Sequence, residues 1–102
     1  DGIGEWILLD WQQERRVKGL IHTTGYWKSA RLWQANGRAT QVRLRFSNGR
    51  SVDVDIHDSD RVQDITFDRP VKAMWVQLEI LKARRGTKYS DTAINEIDVR
   101  FE

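Results

Sequence analysis

Cysteine is missing altogether from these 102 residues, and proline and methionine occur once each. Without cysteine there can be no disulfide, thiolate nucleophile or cysteine-ligated zinc, and the redox compartment is left open. No apolar run approaches the roughly 20 residues of a membrane helix, which excludes a helical span. Charge of one sign is also missing. Seventeen basic residues face 15 acidic ones for a net charge of +2, which argues against an extended phosphate-binding surface and so against nucleic acid. The chain holds no HExxH motif and no glycine-rich phosphate loop, and His22 and His57 have no serine or carboxylate at a spacing that suggests a nucleophile and its base. Asp53, Asp55, Asp58 and Asp60 are explained by alternation along an exposed strand and turn, and a paired-carboxylate glycosidase would need a larger cleft. The reading is therefore non-catalytic.

What is present is a series of short alternating segments. Trp6, Ile7, Leu8 and Leu9 form an apolar run too brief for a helix, expected to be a strand that leads into a turn at Gln12-Gln13-Glu14-Arg15-Arg16. A second strand is expected over 17–23, centred on Leu20 and Ile21. Val42, Leu44 and Phe46 alternate with Arg43 and Arg45, Asn48-Gly49 signals a hairpin, and Val52, Val54 and Ile56 return against Asp53 and Asp55. That pairing places the arginines beside the acids across the strands. His57-Asp58-Ser59-Asp60 is expected to be a turn. Val62, Ile65 and Phe67 are expected to form another strand, ended by Asp68-Arg69-Pro70. Met74, Val76, Leu78 and Ile80 alternate with Trp75, Gln77 and Glu79 on the next, and Ile97, Val99 and Phe101 are expected to point inward on the last. About seven strands at intervals of roughly 8 to 12 residues, with no helical period, predict an antiparallel β-sandwich. Residues 1–102 fit one domain with a single core. Because the chain opens on Asp1-Gly2-Ile3-Gly4-Glu5, with no initiator methionine and no signal-like segment, it is expected to be cut from a longer protein.

Two stretches break the regularity. From Thr24 to Gly37 aromatic and polar residues mix without a period, which predicts a long loop. Gly86 to Glu96 is a polar, turn-forming stretch in which Ser90-Asp91-Thr92 can satisfy its own backbone through side-chain hydrogen bonds. Glu96 stands at the junction with the last strand, where its carboxylate needs an arginine or a hard cation as partner. Tyr26, Trp27 and Trp33, near Asn36 and Arg38, combine ring faces for stacking on a sugar with amide and guanidinium groups for its hydroxyls. The alternative is that Tyr26 and Trp33 plug the end of the sandwich while Arg38 pairs with a carboxylate. Lys88, Tyr89 and Asp91 would form the other wall of a cleft if the two loops meet, or else Tyr89 packs over its loop and Asp91 caps a turn. Of the remaining tryptophans, Trp6 is expected in the core, Trp75 is undecided, and Trp11 is either an exposed apolar spike or an ordinary surface aromatic.

Taken together, Gly2-Ile3-Gly4-Glu5-Trp6-Ile7, Gly25-Tyr26-Trp27-Lys28, Asn36 with Arg38, Phe46-Ser47-Asn48-Gly49, Gly86-Thr87-Lys88-Tyr89, Asp91-Thr92-Ala93-Ile94 and Glu96-Ile97 resemble a discoidin-type domain. More narrowly they resemble the bacterial branch described as NADase-type glycan-binding, or NAD glycohydrolase translocation, domains. The resemblance implies a galactose-binding-like jelly-roll β-sandwich, all-β and antiparallel, with ligand-binding loops at one end and no catalytic machinery. It implies a lectin-like accessory module that carries an attached protein to glycans or cell-surface carbohydrate. The second implied reading is a protein-docking or translocation domain of a secreted effector or toxin, with a protein partner and no sugar. Either places the protein outside the cell or on its surface. Relatives commonly hold a structural calcium near the start of the last strand, which carries over to Glu96, with Asp91 and main-chain oxygens of 91–93 beside it. Relatives also have a strand and an acidic loop before the equivalent of Gly2, and residues 1–102 are expected to lack that first strand.

Overall fold

The computed structural model describes residues 3–22, 38–56, 63–84 and 97–102; the side chains of His22, Arg38 and Arg84 fall outside the description. The described residues form five antiparallel strands: β1 (Trp6–His22), β2 (Arg38–Phe46), β3 (Ser51–Asp55), β4 (Gln63–Arg84) and β5 (Ile97–Phe101). Hydrogen bonding joins them in the order β3-β2-β4-β1-β5. Among the described residues there is no helix, and none long and apolar enough to cross a membrane.

All seven expected strands are present, but two pairs of them are fused. The turn expected at Gln12 to Arg16 is a break inside β1, and the boundary expected at Pro70 lies inside β4. Two compensating irregularities make this possible. At the first, Asp10 pairs with Trp75 and Arg15 with Ala73, so residues 11–14 of β1 bulge out opposite Met74 alone. At the second, Val17 pairs with Val71 and Gly19 with Thr66, so residues 67–70 of β4 bulge out opposite Lys18 alone. Pro70, which has no N–H to give a ladder, is tolerated because it falls in that bulge. A straight strand of 22 residues would run ~70 Å, whereas the longest dimension of the molecule is 40 Å. β4 therefore bends at the breaks and serves both layers of a sandwich, as does β1.

One layer contains β3, β2, the second half of β4 and the first half of β1; the other contains the first half of β4, the second half of β1, and β5. Val42, Leu44, Leu78 and Ile80 from the first layer and Val17, Leu20 and Ile97 from the second share one core, all almost wholly buried. Phe46 meets Phe67 edge to face, with ring centroids 6.2 Å apart. The inward phase of β4 switches at the first break. Val71 and Ala73 are buried before it and Val76, Leu78 and Ile80 after it, while Met74, which alternates in step with the second set, is 45% exposed.

The β2–β3 hairpin follows the sequence reading. Gly49 adopts φ +90° while Asn48 keeps a negative φ, and the Gly49 N–H donates to the Phe46 carbonyl at 2.9 Å. This is a tight turn followed by a left-handed glycine, the arrangement common in three-residue hairpin loops. Its Ser47 also closes the first break in β4. The Ser47 hydroxyl oxygen accepts from the Met74 N–H at 2.7 Å, and the Ser47 N–H donates to the Trp75 carbonyl at 3.1 Å.

The tryptophan assignments change with the register. Trp6 is 57% exposed, because Ile7 and Leu9 take the inward positions of β1 and leave Trp6 and Leu8 on the outer face. An apolar run occupying both phases of a strand conceals which phase is buried, and only the pairing resolves it. Trp11 is not an exposed spike. It is half-buried, its indole N–H donates to the Ala73 carbonyl at 2.8 Å, and its ring meets Phe101 edge to face at 5.1 Å. Trp75 is half-buried.

Candidate functional site

The residues expected to bind ligand lie on two segments, 23–37 and 85–96, that join the strands. Tyr26, Trp27, Trp33, Asn36, Lys88 and Tyr89 lie outside the described residues, as do the expected metal ligands Asp91 and Glu96. Arg38 is described in its backbone only, as the first residue of β2 paired opposite Arg84.

The strand ends that carry these segments fix where each segment begins and ends. Segment 23–37 leaves β1 at His22 and enters β2 at Arg38. Segment 85–96 leaves β4 at Arg84 and enters β5 at Ile97. His22 pairs with Ile97 across the β1–β5 ladder, and Arg38 pairs with Arg84 across the β2–β4 ladder. The two segments therefore share both anchor points: where one starts or stops, the other does so on the neighbouring strand.

Several contacts tie that frame of strand ends together. Ile97 is buried and anchors β5 to the core. Arg100 of β5 forms an ion pair with Asp64 of β4 across the intervening strand. At the other end of β5, the Glu102 N–H donates to the Arg16 carbonyl at 2.8 Å, and the Arg15 guanidinium lies over the Phe101 ring at 3.6 Å, a cation–π contact. Gly19 is obligatory, since a Cβ there would collide with the Ile65 carbonyl on the neighbouring strand.

Electrostatics among the described residues are those of a scaffold. Arg43 grips Asp53 through two hydrogen bonds, at 2.8 and 3.1 Å, the cross-strand pair expected from alternation. The hydrogen bond to Asp53 raises the Arg43 pKa, and the reciprocal bond from Arg43 lowers that of Asp53. Arg45 turns to Glu79 on β4 at 2.7 Å, because Ser51 stands opposite it on β3. No group of three or more histidine, aspartate or glutamate side chains converges among the described residues.

Sequence reasoning missed one feature, a cleft of about 300 Å³ between β3 and the first half of β4, lined by Val52, Val54, Ile65 and Phe67 with Asp53, Asp55, Asp68 and Arg50 around it. Single-strand periodicity carries no signal for it, since the cleft arises where two layers part.

Solved structures share this architecture. The family 32 carbohydrate-binding module of C. perfringens NanJ, determined in complex with galactose, superposes with a TM-score of 0.68 at 21% identity, over 100% of this chain and 69% of that one. The Streptococcus pyogenes NAD+-glycohydrolase translocation domain superposes with a TM-score of 0.65 at 13% identity, over 96% of this chain and 87% of that one. The family 32 carbohydrate-binding module of Streptococcus pneumoniae EndoD gives 0.64 at 17%, over 86% and 63%. At such identities the likeness establishes the β-sandwich fold and nothing finer. No curated protein matches the sequence. The model of the NAD glycohydrolase translocation F5/8 type C domain matches residues 1–100, and the chain belongs to that family.

Proposed function

We propose that the protein is a non-catalytic carbohydrate-binding module that carries an attached, secreted or surface-borne protein to glycans. The observation that carries this reading is the shared anchoring of segments 23–37 and 85–96 at His22–Ile97 and Arg38–Arg84. Tyr26, Trp27 and Trp33 supply the stacking faces, and Asn36, Arg38, Lys88 and Tyr89 the hydrogen-bonding groups, on segments tied to one frame. Galactose, the sugar bound by the NanJ module, is the first ligand to try. On a glycan array the chain should bind, and Trp33→Ala should abolish binding while leaving Tm within a few degrees. Binding that survives Trp33→Ala would remove that residue from the site, and failure on every glycan would sink the carbohydrate reading.

A second reading is favoured by the family match and by the S. pyogenes translocation domain: a docking or translocation domain that engages a protein and no sugar. A silent glycan array together with retained binding to a protein partner would select it.

For the metal, an all-oxygen donor set of the Glu96 carboxylate, Asp91 and main-chain oxygens of 91–93 suits calcium in preference to zinc. Its role would be structural, tying segment 85–96 to the start of β5. Calcium should raise Tm, EDTA should reverse the rise, and Glu96→Gln should remove it; equal melting with and without chelator would exclude the site.

A further inference from the structure

The cleft between β3 and the first half of β4 has a specific construction. No Cα of β3 comes within 8 Å of one in β4, so the layers part here and leave a slot between them. Among the described residues β3 is the outermost strand of its layer, paired with β2 alone. The Phe46 N–H donates to the Arg50 carbonyl and the Ile56 N–H to the Thr40 carbonyl, each at 2.8 Å. These bonds set the parity of the hairpin: Val52, Val54 and Ile56 direct their backbone groups to β2, and Ser51, Asp53 and Asp55 direct theirs away from it. Among the described residues nothing pairs with that outward row.

The side chains around this edge specify what could cover it. Val54 is buried and Val52, Ile65 and Phe67 are half-buried, forming an apolar floor, while Asp53, Asp55 and Asp68 are exposed, with Arg50 the one basic residue of the lining. The existing partner of β3 shows the complementary chemistry. β2 turns Val42 and Leu44 inward and presents Gln41 and Arg43 on the outer face, where they bond Asp55 at 3.0 Å and Asp53 at 2.8 Å. A second copy of this chain cannot serve by matching β3 to β3, since like-charged aspartates would then face each other.

We propose that this slot binds an extended peptide strand of alternating apolar and basic residues, added to the free edge of β3. Backbone hydrogen bonds to Asp53 and Asp55 supply the pairing. One row of side chains fills the floor over Val52, Ile65 and Phe67, and the other lies beside the carboxylates. The slot is built from strands alone and includes no residue of segments 23–37 or 85–96, so it does not rest on the carbohydrate reading.

The test is titration of the isotopically labelled chain with an acetylated, amidated heptapeptide alternating arginine and valine. Amide shifts should concentrate at 51–55 and 65–68, galactose should not compete, and a glutamate–valine peptide should bind at least about tenfold more weakly. Asp55→Pro deletes an outward N–H and leaves the β2 ladder whole, and it should abolish binding. Asp55→Lys keeps that N–H and reverses the charge, which should weaken the arginine peptide and strengthen the glutamate one. The absence of shifts at millimolar peptide, shifts confined to other strands, or equal binding of the two peptides would overturn the proposal.

Discussion

The β2–β3 hairpin and the β1–β4 pair are both antiparallel ladders in one sheet, yet they are specified in different ways. The hairpin is local. Its register follows from Asn48-Gly49, its inward phase is constant from Val42 to Phe46 and from Val52 to Ile56, and its outer face is paired where alternation puts it, Arg43 against Asp53. The β1–β4 ladder joins residues far apart in sequence and is interrupted twice, with four residues opposite one at each break and the surplus on opposite strands. Those breaks let two strands serve two layers. Regularity thus comes from local sequence, and the bend comes from mismatches between distant segments.

Substitutions can break or sharpen this contrast, beginning with the largest expected effect. Leu78→Ala, in the long ladder and fully buried, should cost about 2–5 kcal/mol in chemical denaturation. Gly19→Ala, next to the second break, forces a Cβ against the Ile65 carbonyl and should cost about 1–3 kcal/mol; an unchanged midpoint would mean that the break relaxes freely. Ser47→Ala removes the hydroxyl that accepts from Met74 and should cost about 1 kcal/mol, with faster amide exchange at Met74 as its local signature. The smallest effect belongs to the hairpin's exposed pair. Asp53 has a lowered pKa in the fold, so its contribution is complete above the unfolded value of about 3.9 and fades as pH falls through the folded one. Wild type and Asp53→Asn should therefore melt differently at pH 6 and converge near pH 2.

The same contrast explains what was legible in the sequence. Alternation and short apolar runs mark a segment of every described strand, and alternation gives the inward residues of the hairpin, because period two is a property of single segments. It did not reveal that the Trp6 and Leu20 segments are one strand, or the Ile65 and Leu78 segments another. Glycine, proline and polar clusters mark bulges as readily as turns, and Gln12, with φ +62°, occupies such a bulge. The apolar run around Trp6 points to the core, yet Trp6 is exposed, and so is Met74, because register decides the face. For the ligand residues the sequence supplied identities and chemistry, while the pairing of His22 with Ile97 and of Arg38 with Arg84 supplied a common frame that only long-range topology could give.

Because β1 and β4 run through both layers, neither layer can be stripped away intact, and the sandwich resists force unevenly. Tension applied beyond Glu102 meets β5 first, which among the described residues is held by a single ladder, to β1, and can peel it residue by residue. Tension applied ahead of Trp6 loads β1, which is clamped by β4 along most of its length and by β5 over its second half. The chain therefore has a soft end and a hard end, and the direction of pulling decides whether it unzips or holds.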